Sequence, residues 1–253
     1  MSLTFGSLFA GIGGFDLGFE RAGMVCKWQV EIDDYAQRVL AKHWPDVRRR
    51  DDVRTFPPAP ASDWRVDVIC GGFPCQDISN CGHKVGIDGE RSGLWRDMHR
   101  IVGVLRPKFV VVENVAALAS RGIGRVLGDL AEIGFDAEWE TISACAFGAP
   151  HARERLFVIA YAEGSRLQRS VQAKSVNKAS GEEWNGESTR VLPRAWNRWV
   201  NERSDSRVAN GISGRVGRVK AAGNAVVPQV AEWIGRRIVE ASQTQPTTNG
   251  ARR

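Results

Sequence analysis

Leu3-Thr4-Phe5-Gly6-Ser7-Leu8-Phe9-Ala10-Gly11-Ile12-Gly13-Gly14, with Phe15, Phe19 and Ala22 following at helical spacing, opens the chain as a strand, a glycine turn and a helix. The pattern recurs at once. Met24 to Val30 reads as a second strand closing on Glu31, and Tyr35, Val39, Leu40 and His43 mark the helix behind it. Strands alternating with helices imply a parallel sheet. The fold class expected is therefore α/β, a doubly wound and mostly parallel sheet.

Outward from this start, Asp52-Val53 lies in a polar stretch before Pro57-Pro58-Ala59-Pro60, a loop that precedes the apolar strand Val66 to Cys70. Leu94, Met98, Ile101, Val102 and Leu105 put one apolar face on a helix stopped by Pro107. Lys108 to Val112 is a buried strand running into Glu113-Asn114-Val115, and Arg155 to Tyr161 is a further strand. Pro228 stands near the start of a last helix with apolar face Val227, Val230, Ala231, Ile234 and Ile238.

The 253 residues suit one large domain or a domain with a small insert, and 43% hydrophobic content is ample for a core. No apolar stretch approaches the roughly 20 residues of a membrane span, and no signal peptide is recognisable, so a cytoplasmic protein is expected. Cys26, Cys70, Cys75, Cys81 and Cys145 form no CxxC pair and no Cys/His zinc spacing, so neither a disulfide framework nor a metal is expected. Charge is unevenly spread. Residues 162–221 hold twelve Lys or Arg against six Asp or Glu, an excess equal to the +6 of the whole chain. This polar segment lacks sustained periodicity, which suits a disordered linker. Yet Trp184, Trp196 and Trp199 interleave with Arg190, Arg194, Arg198 and Arg203, a mixture that suits phosphates and bases.

Two strand ends carry candidate chemistry, because ligands of open α/β sheets bind at the carboxyl edge. Gly71-Gly72-Phe73-Pro74-Cys75-Gln76 follows one strand, and its glycines and proline favour an exposed sulfur over a packed one. Cys70, inside the apolar run, reads as core. Glu113 ends the other strand. It is either a solvated terminus or, desolvated beside Phe109-Val110-Val111-Val112, a carboxyl of raised pKa able to donate a proton. At the first strand, Gly11 and Gly13 permit close approach of a ligand, and Glu31 stands at about the distance of a ribose-binding acid. Asp16 occupies the place of a third fingerprint glycine. A structural turn is the alternative; if a nucleoside binds, the broken fingerprint favours S-adenosylmethionine over NAD.

In order along the chain stand Phe9-Ala10-Gly11-Ile12-Gly13-Gly14, Glu31, Asp52, Gly72-Phe73-Pro74-Cys75-Gln76, Glu113-Asn114-Val115, Arg153-Glu154-Arg155 and Gly223-Asn224-Ala225-Val226. On these the chain resembles the DNA (cytosine-5) methyltransferases, over nearly all of the family's catalytic portion. The resemblance implies a Rossmann-like methyltransferase fold, with residues 1–161 forming a catalytic and cofactor-binding domain. It further implies a target-recognition insert over 162–221 and a segment 222–242 completing the catalytic domain, while the residues themselves read as a frayed, disordered tail over 243–253.

By that resemblance Cys75 is the nucleophile toward C6 of cytosine, Glu113 protonates N3, Arg155 binds the base O2, and Arg153 lies nearby. For S-adenosylmethionine it implies Phe9, Gly11 and Gly13 along the methionine and sugar, Glu31 on the ribose, Ile32 against adenine, Asp52 on its amino group and Asn224 closing the pocket. The partner implied is double-stranded DNA with the target base rotated out, the protein acting as a monomer of bacterial or phage origin associated with the nucleoid. The stretch Ser79 to Gly93 reads as a loop able to fold over that base, or as a plain surface connection. His151 stands where the family usually has Gln. A tRNA substrate is the alternative within the family, and a DNA binder without turnover is the alternative outside it.

Overall fold

A computed structural model describes residues 2–74, 93–149, 153–162 and 224–243. The chain divides into two compact units, Met1–Gln168 with Ala225–Arg253, and Arg169–Asn224. Every described residue except Asn224 belongs to the first unit.

Seven strands form its sheet: β1 Thr4–Leu8, β2 Val25–Val30, β3 Arg48–Arg50, β4 Val68–Gly71, β5 Phe109–Val115, β6 Phe135–Ser143 and β7 Glu154–Ala162. They lie in the order β3-β2-β1-β4-β5-β7-β6. The first five run parallel, and β7 runs antiparallel to both β5 and β6. The helices are α1 Gly14–Arg21, α2 Asp34–His43, α3 Leu94–Leu105, α4 Leu118–Arg121, α5 Ile123–Glu132 and α6 Pro228–Gln243. The expected α/β, mostly parallel sheet is the observed one.

Alternation along the strands sorts side chains onto two covered faces. Leu8, Val110 and Val112 join Trp95, Met98, Ile101 and Leu105 of α3, with Val126 and Leu130 of α5, in one core layer. Phe5 faces the other way and meets Phe19 of α1 edge-on at 5.4 Å. Helix α6 packs on α1 along a seam of small residues: a Cβ at Gly18 would stand 2.5 Å from the Ala231 Cβ and from the Pro228 carbonyl oxygen. The last helix thus covers the same face as the first.

Two departures from expectation have local causes. β5 continues past Val112 through Glu113, Asn114 and Val115, because β7 pairs with those residues after β4 has ended at Gly71 opposite Val112. The first strand, which the sequence pattern extends over Leu3 to Phe9, stops at Leu8 because Phe9 takes φ 52°, a left-handed backbone rare for a bulky side chain.

Candidate active site

All five parallel strands present their carboxyl ends at one edge, and antiparallel β7 begins there. Glu113 on β5 is 7% exposed, so the buried alternative holds and the solvated terminus does not. Arg155, from the start of β7, brings Nε to 2.9 Å from Glu113 Oε1. No donor hydrogen is aimed along that line, so the contact is one of charge rather than an aligned hydrogen bond. Burial raises the Glu113 carboxyl above the usual glutamate range, and the nearby Arg155 and Arg153 guanidinium groups only partly offset it.

The backbone leaving β4 is fitted to this carboxyl. At Gly72 an added Cβ would lie 2.6 Å from Glu113 Oε2, so a glycine is required for the acid to sit where it does. Asn114 Nδ2 donates to the Phe73 carbonyl at 3.1 Å, tying the β4 extension to β5. The Phe73 ring rests on Trp95 at 5.4 Å, and Trp95 Nε1 in turn donates to Asp129 Oδ2 at 2.7 Å. Pro74 is the last described residue before Cys75. Cys75, His151, Cys81 and the stretch Ser79 to Ser92 lie outside the described residues, as do the tryptophans and arginines expected to recognise a target. Cys70 is fully buried, as its place in the apolar run implies.

A hollow opens over Glu113. Arg153 and Arg155 line it together with apolar Ile142, Ala144, Phe157, Val226, Val227 and Val230. The site therefore combines a desolvated acid, two cations and an apolar wall, which suits a flat, polar-edged ring placed against the acid.

The expected cofactor residues gather at the ends of β1, β2 and β3. Gly11 and Gly13 take φ 56° and 87°. Gly11 N donates to Glu31 Oε2 at 2.7 Å, and Asp33 N donates to Glu31 Oε1 at 2.8 Å. The acid after β2 is thus pinned to the glycine loop after β1. Ile32 beside it is 65% exposed, and among the described residues nothing stands within 4 Å of the position a Gly11 side chain would take. Those features fit a nucleoside, with an acid for its sugar and a flat apolar support for its base.

Asp52 follows β3 and caps a short 3-10 turn, accepting from Arg54 N at 2.9 Å. Both its oxygens also meet the Arg54 guanidinium, and hydrogen bonds from Arg54 hold its carboxyl below the usual range. Asn224 is exposed.

The family model for C-5 cytosine-specific DNA methylase matches residues 3–205. The chain belongs to this family. Among similar proteins, Type II methyltransferase M2.BsuMI of Bacillus subtilis is 35% identical over 162 residues, covering 61% of this chain and 41% of the relative. Type II methyltransferase M.HhaI of Haemophilus parahaemolyticus is 33% identical, covering 66% of this chain and 51% of the relative. Among solved structures, a candidate DNA modification methyltransferase encoded within an E. coli prophage is 30% identical with a TM-score of 0.54, covering 64% of this chain and 47% of the other. DNMT2 of Spodoptera frugiperda, at 20% identity and TM-score 0.54, shares the fold. The chain spans about half the length of the curated relatives it matches.

Within this cytosine-5 methylase frame, several neighbours of the site carried no sequence signal. Ile142 and Ala144 come from β6 and the turn after it, and β6 alternates acidic and apolar residues in a way that resembles an exposed segment. Val227 and Val230 are legible in the sequence only as the apolar face of a helix, and Val226 only as the end of the Gly223-Asn224-Ala225-Val226 motif. Among the described residues no His/Cys/Asp/Glu group could hold a metal, and no helix is long and apolar enough to cross a membrane.

Proposed function

We propose that this chain is a DNA (cytosine-5) methyltransferase that moves a methyl group from S-adenosylmethionine to C5 of a cytosine rotated out of duplex DNA. The observation that carries it is Glu113: buried, raised in pKa, and 2.9 Å from Arg155 at the strand edge shared by the glycine loop and the approach to Cys75. When bound at Gly11, Gly13, Glu31 and Ile32, S-adenosylmethionine supplies an electrophilic methyl group on a sulfonium. The chain's own residues make C5 nucleophilic. The Cys75 thiolate adds to C6 of the ring, while neutral Glu113 gives its proton to N3, so charge does not accumulate on the base. Arg155 holds O2, and Arg153 adds positive potential to the same edge. Phe9 borders the sugar and methionine, Asp52 takes the adenine amino group, and Asn224 closes the pocket.

Extruding a base costs a few kcal/mol of stacking and pairing, recovered from contacts with the base and the strand. Residues 162–221 supply recognition of the target, and the protein works as a cytoplasmic monomer on DNA. The test is transfer of labelled methyl groups from S-adenosylmethionine to unmodified duplex DNA, with tRNA in a parallel reaction. Labelled DNA with unlabelled tRNA is expected, and label on tRNA alone would reassign the substrate. Cys75→Ser should abolish transfer, and wild type should form a covalent adduct with duplex containing 5-fluorocytosine. Absence of both label and adduct would overturn the reading.

A further inference from the structure

Asp16 stands in the first turn of α1, directly after the glycine loop, and is fully buried. Its Oδ2 accepts from Ser7 Oγ at 3.1 Å, and its Oδ1 accepts from Gln29 Nε2 at 2.8 Å and Cys26 Sγ at 3.5 Å. Gln29, fully buried on β2, presents its amide oxygen to Arg49 Nη1 at 3.3 Å. From edge strand β3, Arg49 then closes the far end of α2. Its Nη1 donates to the Trp44 carbonyl at 2.5 Å and the Leu40 carbonyl at 3.5 Å, and its Nη2 donates to the Pro45 carbonyl at 3.4 Å.

The path returns to where it began. Leu40 and Trp44 form the wall against Gly13: a Cβ there would lie 2.4 Å from the Trp44 ring and 3.3 Å from Leu40 Cδ2. The other end of α2 is also engaged, since Gln37 Nε2 donates to the Glu31 carbonyl at 2.6 Å while the Glu31 carboxylate holds Gly11. Helix α2 thus braces the loop twice, once through Glu31 and once through Trp44. The second brace is tied to α1 by an unbroken carboxyl, amide and guanidinium chain.

A wholly desolvated carboxyl is unfavourable as a mere filler, since a core residue of similar size would fold at lower cost. Burial pushes the Asp16 carboxyl up to about 6, with the Gln29, Ser7 and Cys26 donors opposing that rise. The arrangement gains a purpose from what it anchors. We propose that Asp16, Gln29 and Arg49 are positioning residues for cofactor binding, a hydrogen-bonded chain that seats the α2 terminus on Gly13 and so keeps the glycine loop shaped for the nucleoside. This rests on the reading that the loop receives S-adenosylmethionine.

The test uses the full chain and S-adenosylhomocysteine as probe, by titration calorimetry, with amide hydrogen exchange over residues 10–14 and steady-state kinetics alongside. Arg49→Met should weaken probe binding about tenfold, the worth of one charge-assisted hydrogen bond. Arg49→Lys, which keeps the charge and loses the fork, should fall between it and wild type. Exchange over 10–14 should quicken, and KM for S-adenosylmethionine should rise while kcat at saturation and KM for DNA hold. Gln29→Met, where it folds, should not weaken binding further when added to Arg49→Met, because both break one chain. Arg49 is partly exposed on an edge strand, so its variants keep the question answerable if the Gln29 variant does not fold. Wild-type affinity in Arg49→Met, even with a lowered Tm, would overturn the positioning role and leave the cofactor reading intact. Wild type that binds no probe would overturn both.

Discussion

At the scale of single residues, Glu113 is governed by opposing influences of known sign. Burial raises its pKa, while Arg155 first and Arg153 second lower it. In the proposed role of proton donor Glu113 must be neutral, so methyl transfer should fail on the alkaline side as the carboxyl ionises. Replacing Arg155 by Ala removes a cation that favours the carboxylate, and the carboxyl pKa rises further. The alkaline limb of kcat/KM against pH should therefore move to higher pH in Arg155→Ala, even as the rate falls with the loss of the contact to the base proposed for Arg155. A limb that stayed fixed or moved down would show that another group titrates there. Gly72 gives a second prediction. An alanine methyl at 2.6 Å from Glu113 Oε2 forces the carboxyl to swing aside, since 2.6 Å is inside van der Waals contact. Gly72→Ala should lower single-turnover methyl transfer at least about tenfold, consistent with the 10²–10⁴ that a positioned acid contributes, with binding of S-adenosylhomocysteine unchanged.

At the scale of elements, the seam between α1 and α6 sets the wall of the hollow, because Val226, Val227 and Val230 lead into and begin the helix that α1 holds. Gly18→Ala would place a methyl 2.5 Å from both the Ala231 Cβ and the Pro228 carbonyl. Overpacking of this kind costs about 1–3 kcal/mol, and each kcal/mol lowers Tm by roughly 2–4 °C at this chain length. A drop of several degrees by calorimetry is expected, and an unchanged Tm would mean the helices part easily. The sequence carried the elements whose periodicity is strong: β1, β2, β4, β5, β7, α2, α3 and α6 all lie where apolar spacing put them. It did not carry β3, whose three arginines show no strand pattern and are ordered by pairing with β2. Nor did it carry β6, whose Asp136, Glu138 and Glu140 alternate outward on an edge strand, or the site wall β6 delivers. Tertiary pairing, absent from local spacing, fixed both. The relay through Gln29 and Arg49 was equally hidden, because no motif relates an amide on one strand to a guanidinium on the next.

At the scale of the whole molecule, charge distribution makes a prediction that does not depend on the chemistry at Glu113. The excess of +6 over residues 162–221 equals that of the entire chain, and these residues lie outside the described ones, save Ala162. If they neutralise DNA phosphates, each contact releases condensed counterions, and log K falls against log salt with a slope near −0.9 per phosphate on duplex DNA. Replacing Arg194, Arg198 and Arg203 together by Ala should then make the measured slope shallower by about 2–3, weakening binding across all sequences alike. The neighbouring tryptophans should behave differently, because stacking on bases is largely independent of salt. Trp196→Ala and Trp199→Ala should weaken binding with the slope preserved. Fluorescence anisotropy with labelled duplex at several salt concentrations distinguishes the two. Equal slopes in the arginine triple variant and wild type would remove residues 162–221 from the phosphate contacts and leave the catalytic unit as the source of DNA affinity.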